Sequence, residues 1–192
     1  MKSQMSVNNK KYLNFCKLKS CYLSVPFNDK VFRKYKYKYP SQFFNTFWKK
    51  YEKFKKNYKK IKGRDINNSY NGQALEIILA YLFTREEIQI EKMDENLNDV
   101  KYVKPDFLLK SSDNQKCFIS AKVSIRERWK QADWEAIKYK ERYPSAKCFL
   151  IMNDKKEYKG IKSKIKDLDL DDVILASSSD LNNLIKTIRG LD

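Results

Sequence analysis

An acidic residue and a lysine stand on two successive apolar segments that are typical of the strands of a hairpin. The first segment is Lys104-Pro105-Asp106-Phe107-Leu108-Leu109, and the second is Cys117-Phe118-Ile119-Ser120-Ala121-Lys122-Val123. The carboxylate of Asp106 can hold a divalent cation, and the ammonium of Lys122 can stand near an attacked phosphate and its water. On neighbouring strands, these residue types predict metal-assisted hydrolysis of a phosphodiester bond.

The pattern of the second strand predicts which side chains accompany Lys122. Because side chains alternate along a strand, Lys122 should face the same way as Ser120 and Phe118. Asp106 follows a proline, which favours extended backbone just before it. Taken alone, an aspartate at this position is more often a strand-end or turn residue, and it is Lys122 on the next strand that favours a functional role.

Glu76 is a third candidate and lies within a helix predicted over residues 73–83. Apolar residues cover almost every face of this helix, and Glu76 is its only ionisable interior residue. Burial of a lone carboxylate is costly unless an opposite charge or a metal ion compensates it. Glu76 is therefore a candidate metal ligand, with an ion pair to one of the many lysines as the alternative.

The chain is strongly basic. Its 192 residues are enough for one domain with a real core, and 41 Lys and Arg residues against 24 Asp and Glu residues give a net charge of +17. Such a charge predicts a polyanionic partner, nucleic acid above all. The alternative is a general enrichment in Lys and Asn, as an AT-rich genome would produce.

The positive charge is concentrated in residues 30–62, where Glu52 is the only acid. Aromatic residues recur at helical spacing through the same segment, and we expect them to form a buried stripe rather than to stack on bases. This stripe would consist of Phe44, Phe47, Trp48, Tyr51, Phe54 and Tyr58. The lysines are then the expected phosphate contacts. The candidates are Lys49, Lys50, Lys53 and Lys56.

The absence of histidine and the placement of four cysteines exclude several chemistries. Without histidine there can be no His-based triad, no HNH-type or phospholipase-type nuclease site and no histidine general base. Cys16 and Cys21 lack a second ligand pair at zinc spacing, and Cys117 and Cys148 lie in apolar, strand-like runs, so no zinc site is expected. No run of about 18 apolar residues occurs, and we expect a cytoplasmic protein in a reducing compartment.

Helix-like and strand-like patterns alternate along the second half of the chain. The predicted elements are a loop over residues 63–72, strands over residues 88–90, 100–109, 116–123, 146–152 and 173–175, and helices over residues 124–142 (with Ser124 as cap), 158–168 and 179–189. This order predicts an α/β fold with a central mixed β-sheet flanked by helices. Residues 66–192 would form this core. Residues 1–65 would form a basic, aromatic-rich, largely helical N-terminal segment that packs on the core and contacts DNA.

Glu76, Pro105-Asp106 and Lys122 together resemble the PD-(D/E)xK nuclease superfamily, over roughly residues 70–152. Residues 124–131, Ser-Ile-Arg-Glu-Arg-Trp-Lys-Gln, resemble type II restriction endonucleases. The resemblance implies a restriction-endonuclease-like core of helix, three-stranded meander, helix and strand. It also implies that Glu76 and Asp106 bind Mg²⁺ and that Lys122 assists the attacking water.

One position departs from the pattern of this superfamily. The second acid normally stands two residues before the lysine, but Ser120 occupies that position and brings no negative charge. Some restriction enzymes carry this acid on the following helix, which makes Glu135 the candidate and Glu127 the weaker substitute. Helical spacing supports Glu135 by placing it on one polar stripe. The stripe consists of Ser124, Arg128, Gln131 and Glu135. An ordinary surface glutamate, or the partner of an arginine, is the alternative.

Basic residues follow the lysine closely, at the predicted start of this helix. Arg126 and Arg128 could clamp the scissile or an adjacent phosphate through bidentate contacts, and Lys130 would add a further positive charge. If they were only surface charges, two arginines near a helix N-terminus would destabilise the helix, because the macrodipole is positive at that end. This conflict favours a role in binding DNA.

The resemblance therefore implies a Mg²⁺-dependent, site-specific endodeoxyribonuclease that acts on double-stranded DNA and leaves 5′-phosphate and 3′-hydroxyl ends. Cutting at symmetric sites implies a homodimer. Whether a cognate DNA methyltransferase accompanies it is left open, and no direct contact between the two is implied. Two alternatives also stay open: a repair or junction-resolving nuclease of the same superfamily, and a non-catalytic basic nucleic-acid-binding protein.

Overall fold

A five-stranded mixed β-sheet forms the centre of the fold and has helices on both faces. The computed structural model describes residues 29–124 and 128–190. The helices are α1 (Asp29–Lys34), α2 (Pro40–Lys62), α3 (Ser69–Arg85), α4 (Arg128–Arg142), α5 (Lys155–Lys162) and α6 (Ser179–Arg189). The strands are β1 (Gln89–Met93), β2 (Phe107–Lys110), β3 (Lys116–Lys122), β4 (Lys147–Met152) and β5 (Asp172–Leu175). The predicted α/β class is confirmed.

The strands lie in the order β1-β2-β3-β4-β5. The first three form an antiparallel meander, whereas β4 and β5 are added in parallel to β3. Parallel neighbours need a crossover connection, and α4 and α5 lie within the two that occur here. This is the predicted succession of a helix, a strand meander and then alternating helix and strand.

The sheet separates two layers of core. One face packs against α2, α3 and α6, and Ile119 and Ala121 of β3 are buried in that layer. The other face packs against α4 and α5, and Phe118 of β3 is buried there with Leu150 of β4. Successive residues of β3 thus enter opposite layers, which confirms the predicted alternation.

The aromatic residues of α2 belong to the first of these layers. The fully buried rings are Phe43, Phe44, Phe47 and Tyr51. Phe32 of α1 stacks on Phe47 and on Tyr81 of α3, with ring centroids 4.0 Å and 4.1 Å apart. The prediction that the aromatic stripe is core rather than a surface for bases is confirmed for Phe44, Phe47 and Tyr51, whereas Trp48 and Phe54 are only partly buried against the same layer. This packing joins α2 firmly to α3.

The strand predicted over residues 100–109 is wrong in its first part, because β2 begins only at Phe107. Tyr102 has a φ of 64°, which is incompatible with a strand, and Pro105 has no N–H group for a strand ladder. Val103 is nevertheless buried, because the long connection before β2 folds onto the layer that contains α4. The apolar run here reflects burial, not extended pairing.

One predicted boundary beside the site also differs from the structure, and a second one is not tested. The loop predicted over residues 63–72 ends at Asn68, so its last four residues form the first turn of α3. Of the helix predicted over residues 124–142, the structure describes Arg128–Arg142 as α4. Residues 125–127 lie outside the described residues, so the cap predicted at Ser124 stays a prediction.

The helix predicted over residues 158–168 is shorter and begins earlier. The side chain of Asp154 accepts hydrogen bonds from two backbone N–H groups of the first turn of α5, which fixes the start of that helix. The helix ends at Lys162, and a single 3-10 turn over Ile165–Asp167 follows.

Neither a membrane span nor a reactive thiol occurs in the described part of the chain. No helix within residues 29–124 and 128–190 is long and apolar enough to cross a membrane. Cys117 and Cys148 are buried and free, and burial raises the pKa of both thiols to about 12. These thiols stay protonated near neutral pH and act as core residues.

Phe47→Ala should strongly destabilise the fold, because it removes a fully buried ring that stacks on Phe32. Truncation of a buried phenylalanine typically costs about 3–5 kcal/mol, which urea denaturation would measure. Ile61→Ala is the matched control on the same helix. Ile61 is 78% exposed, and its truncation should change the free energy of unfolding by less than about 0.5 kcal/mol. Equal losses in the two variants would contradict the packing of α2.

Candidate active site

Asp106 and Lys122 form an ion pair at one edge of the sheet. Lys122 Nζ lies 2.7 Å from Asp106 Oδ2, and the two side chains are 19% and 12% exposed. Asp106 directly precedes β2, and Lys122 is the last residue of β3. Because these strands are antiparallel, the start of one lies beside the end of the other. The fold therefore brings together two residues that are 16 positions apart in the sequence.

The backbone also holds the Asp106 carboxylate in place. Its Oδ2 atom accepts a hydrogen bond from the backbone N–H of Ala121 at 2.6 Å. The carbonyl oxygen of Asp106 accepts a hydrogen bond from the N–H of Asp94 at 3.2 Å, which ties the residue to the end of β1. The carboxylate is thus oriented by the sheet itself.

Ser120 has a role at this site that the sequence did not reveal. It is buried, and its Oγ atom lies 3.4 Å from Asp106 Oδ2, as a weak hydrogen-bond donor. The position two residues before Lys122 therefore holds a neutral group that helps to orient the carboxylate of Asp106. The available signal was the two-residue spacing, which places Ser120 and Lys122 on the same face of β3.

Glu135 of α4 is buried beside this ion pair. It is 4% exposed, and its Oε1 atom accepts a hydrogen bond from Gln131 Nε2 at 2.9 Å. The pKa of Glu135 is raised, and burial is the largest cause. The charge of Asp106 raises this pKa further, whereas the hydrogen bond from Gln131 and the charge of Lys122 lower it. The alternative of an ordinary surface glutamate is excluded. Asp106, Lys122 and Glu135 are close enough for their charges to interact.

A cleft of about 860 Å³ opens beside Lys122. Lys122 and Ser124 line it from the end of β3, Arg128 from the start of α4, and Glu76 from α3. The first turn of α3 and the residue before it complete this lining with Asn68, Ser69, Asn71 and Gly72. Glu76 thus lines the same cleft as Lys122. Asp106 is not among the lining residues, but it forms an ion pair with Lys122, which is.

The described residues contain no ready-made group of three His, Cys, Asp or Glu side chains placed to hold a metal ion. The donor chemistry nevertheless fits Mg²⁺, which prefers oxygen ligands, keeps several waters and commonly takes only one or two carboxylates together with substrate phosphates. Asp106 and Glu135 supply such oxygens, and Glu76 lies in the adjoining cleft. Because Asp106 Oδ2 is engaged by Lys122, a cation would displace that ammonium or bind the second carboxylate oxygen.

The predicted DNA-contacting residues occupy several places. Arg128 is exposed and lines the cleft. Lys130 is exposed, and its Nζ atom lies 5.7 Å from the centroid of the Trp129 ring. Arg126, and Glu127 as the substitute acid, lie outside the described residues. The exposed lysines predicted on α2 are Lys49, Lys50, Lys53 and Lys56.

Comparison with known proteins identifies the fold. No protein-family model matches the chain, and no curated protein matches its sequence. Among solved structures, the chain is similar to a restriction endonuclease, with a TM-score of 0.58 and 18% sequence identity. That enzyme is PspGI, in a complex with its substrate DNA, and the match covers 87% of this chain and 76% of the PspGI chain. The predicted restriction-endonuclease-like fold is confirmed.

The raised pKa of Glu135 predicts that stability depends on pH. The folded protein binds the proton of the Glu135 carboxyl group more tightly than the unfolded chain does, in which the pKa of this group is near 4.5. The resulting stabilisation is fully present below the unfolded pKa and is lost as the pH rises through the folded pKa. Relative to Glu135→Gln, which has no such proton, the wild type should lose stability as the pH rises above about 4.5. Urea denaturation of both proteins in EDTA measures the difference, and a constant difference would contradict the burial of this carboxyl.

Proposed function

We propose that the protein is a Mg²⁺-dependent endodeoxyribonuclease that hydrolyses phosphodiester bonds at specific sites in double-stranded DNA. The observation that carries the proposal is the Asp106–Lys122 ion pair, held at the edge of a restriction-endonuclease-like sheet with Glu135 buried beside it. A purely structural ion pair needs no second carboxylate buried against it. Its negative charge is unfavourable there unless a proton or a cation compensates it, and a metal ion of the proposed function would be such a cation.

Asp106, Glu135 and Glu76 are the proposed ligands of Mg²⁺. When bound, the ion would polarise the phosphate and lower the pKa of a bound water. The ammonium of Lys122 would orient the attacking water by hydrogen bonding and offset the negative charge that develops on the phosphate. Arg128, together with Arg126, would hold a neighbouring phosphate in the cleft. In-line attack would then leave 5′-phosphate and 3′-hydroxyl ends.

Charge and fold together support double-stranded DNA as the substrate. The net charge of +17 favours a polyanion, and PspGI, which has a similar fold, was solved with its substrate DNA. The exposed lysines of α2 would follow the sugar–phosphate backbone, and Lys130 would add a contact near the cleft. A homodimer would cut both strands of a symmetric sequence, and light scattering would give its mass in solution.

Asp106→Ala and Lys122→Ala should each abolish DNA cleavage, because one removes a proposed metal ligand and the other the ammonium beside the reacting phosphate. We expect the rate to fall by at least about a hundredfold in each variant. The assay is digestion of phage DNA with Mg²⁺ or with EDTA, followed on a gel. The wild type should give discrete bands with Mg²⁺ and none with EDTA.

Lys116→Ala is the matched control, because it removes a lysine from the opposite end of the same strand. It should cut like the wild type. Normal cutting by both Asp106→Ala and Lys122→Ala would remove these residues from the proposed roles. Wild-type cutting restricted to nicked or branched DNA would favour the repair or junction-resolving role, and binding without cutting would favour a non-catalytic protein.

Replacement of the four α2 lysines by glutamine should weaken DNA binding and flatten its salt dependence. The changes are Lys49→Gln, Lys50→Gln, Lys53→Gln and Lys56→Gln. If each lysine contacts one phosphate, the slope of log K against log salt should fall by about 3 to 4, as fluorescence anisotropy in EDTA would measure.

The control for this experiment removes the same charge from another surface. It consists of Lys155→Gln, Lys156→Gln, Lys159→Gln and Lys166→Gln, all at exposed positions on or just after α5. The salt slope of this control should change much less. Equal effects in the two quadruple variants would mean that only the total charge matters and that α2 has no special contact with DNA.

A further inference from the structure

One face of α3 borders the cleft at regular intervals. Asn68, Gly72 and Glu76 all line the cleft and are spaced four residues apart, so they lie on the same side of the helix. Gly72 therefore precedes Glu76 by about one helical turn, or roughly 5.4 Å along the axis. A strand of DNA that follows this face of α3 through the cleft would pass over Gly72.

Nothing within the described chain requires glycine at position 72. A glycine inside a helix destabilises it relative to alanine, because it loses more conformational freedom on folding. A Cβ atom added at Gly72 would meet no heavy atom within 4 Å, so packing does not exclude a side chain. Its φ is not in the left-handed region, in contrast to Gly63 and Gly190. Neither packing nor backbone conformation among the described residues therefore accounts for the missing side chain.

The polar neighbours of Gly72 are held in position from α2. The hydroxyl of Tyr51 donates a hydrogen bond to Asn71 Oδ1 at 2.9 Å, and Asn71 Nδ2 lies 3.5 Å from Asn68 Oδ1. Tyr51 itself is buried. This chain of contacts orients two amide groups at the cleft, and such groups donate hydrogen bonds to phosphate oxygens.

We propose that Gly72 is the point of closest approach between the protein and the sugar–phosphate backbone of bound DNA. Asn68 and Asn71 are hydrogen-bond donors to that strand, and Tyr51 is a positioning residue that acts through Asn71. The inference rests on the proposed nuclease function and assigns to this wall of the cleft a role in seating the substrate. A bare helix surface at Gly72 lets the strand lie against α3 without meeting a side chain.

Substitution of Gly72 should change the stability of the fold and the affinity for DNA in opposite directions. Gly72→Ala should raise the melting temperature by about 2 °C, because a helical glycine with free space around it is replaced. The same variant should bind duplex DNA about tenfold more weakly in anisotropy measurements made in EDTA. Gly72→Leu should bind more weakly still, and cleavage in Mg²⁺ should fall in parallel.

Gly160 offers a matched control. It lies within α5, a Cβ atom there also meets nothing within 4 Å, and its φ is likewise not positive. Gly160→Ala should gain similar stability, and both Gly160→Ala and Gly160→Leu should bind and cut DNA like the wild type.

Tyr51→Phe tests the positioning role of the Tyr51 hydroxyl. This variant keeps the ring but loses the hydroxyl, and it should raise KM while leaving kcat nearly unchanged.

The outcomes distinguish this inference from the function on which it rests. If the wild type cuts DNA and Gly72→Ala and Gly72→Leu bind and cut equally well, the inference is overturned and the nuclease stands. A lower melting temperature for Gly72→Ala would also overturn it, since the fold itself would then require the glycine. If the wild type neither binds nor cuts DNA, the proposed function fails and the inference falls with it.

Discussion

The antiparallel pairing of β2 with β3 is the constraint on which the site depends. Phe107 pairs with Ile119 and Leu109 with Cys117, and these buried residues fix the register because they fill one core layer. A slip by one residue would send every side chain of the strand to the opposite face. The ion pair at the edge of the sheet would then be lost. The packing of the core therefore determines the chemistry at its edge.

The same core places the buried glutamate. The rings of Phe118 and Tyr139 lie 5.1 Å apart and hold α4 against β3, and Glu135 stands one helical turn before Tyr139. The carboxyl groups of Asp106 and Glu135 and the ammonium of Lys122 thus meet at one place, and burial there raises the pKa of Glu135. In the proposed function, a divalent cation bound at this place would favour the ionised form of Glu135.

Much of this arrangement could be predicted from the sequence, because burial leaves strong periodic signals. The alternation in β3 placed Ser120 and Lys122 on one face, and the polar spacing along α4 placed Glu135 near the site. The connection before β2 was misread, since Val103 is buried without belonging to a strand. The start of α3 was also missed, because its first turn is built from Asn, Ser and Gly, which are typical of loops. The hydrogen bond from Ser120 to Asp106 joins two strands, so the alternation in β3 indicates which way Ser120 faces but not the partner that it meets.

The hydrogen bond between Tyr51 and Asn71 joins two surfaces that lie on different helices. Aromatic packing and this hydrogen bond both link α2, which carries the lysines, to the amides at the start of α3. In the proposed complex, a duplex that binds to α2 would meet amide groups whose orientation was fixed when the chain folded. Less side-chain entropy would then be lost on association, so the cleft would be preorganised for the proposed ligand.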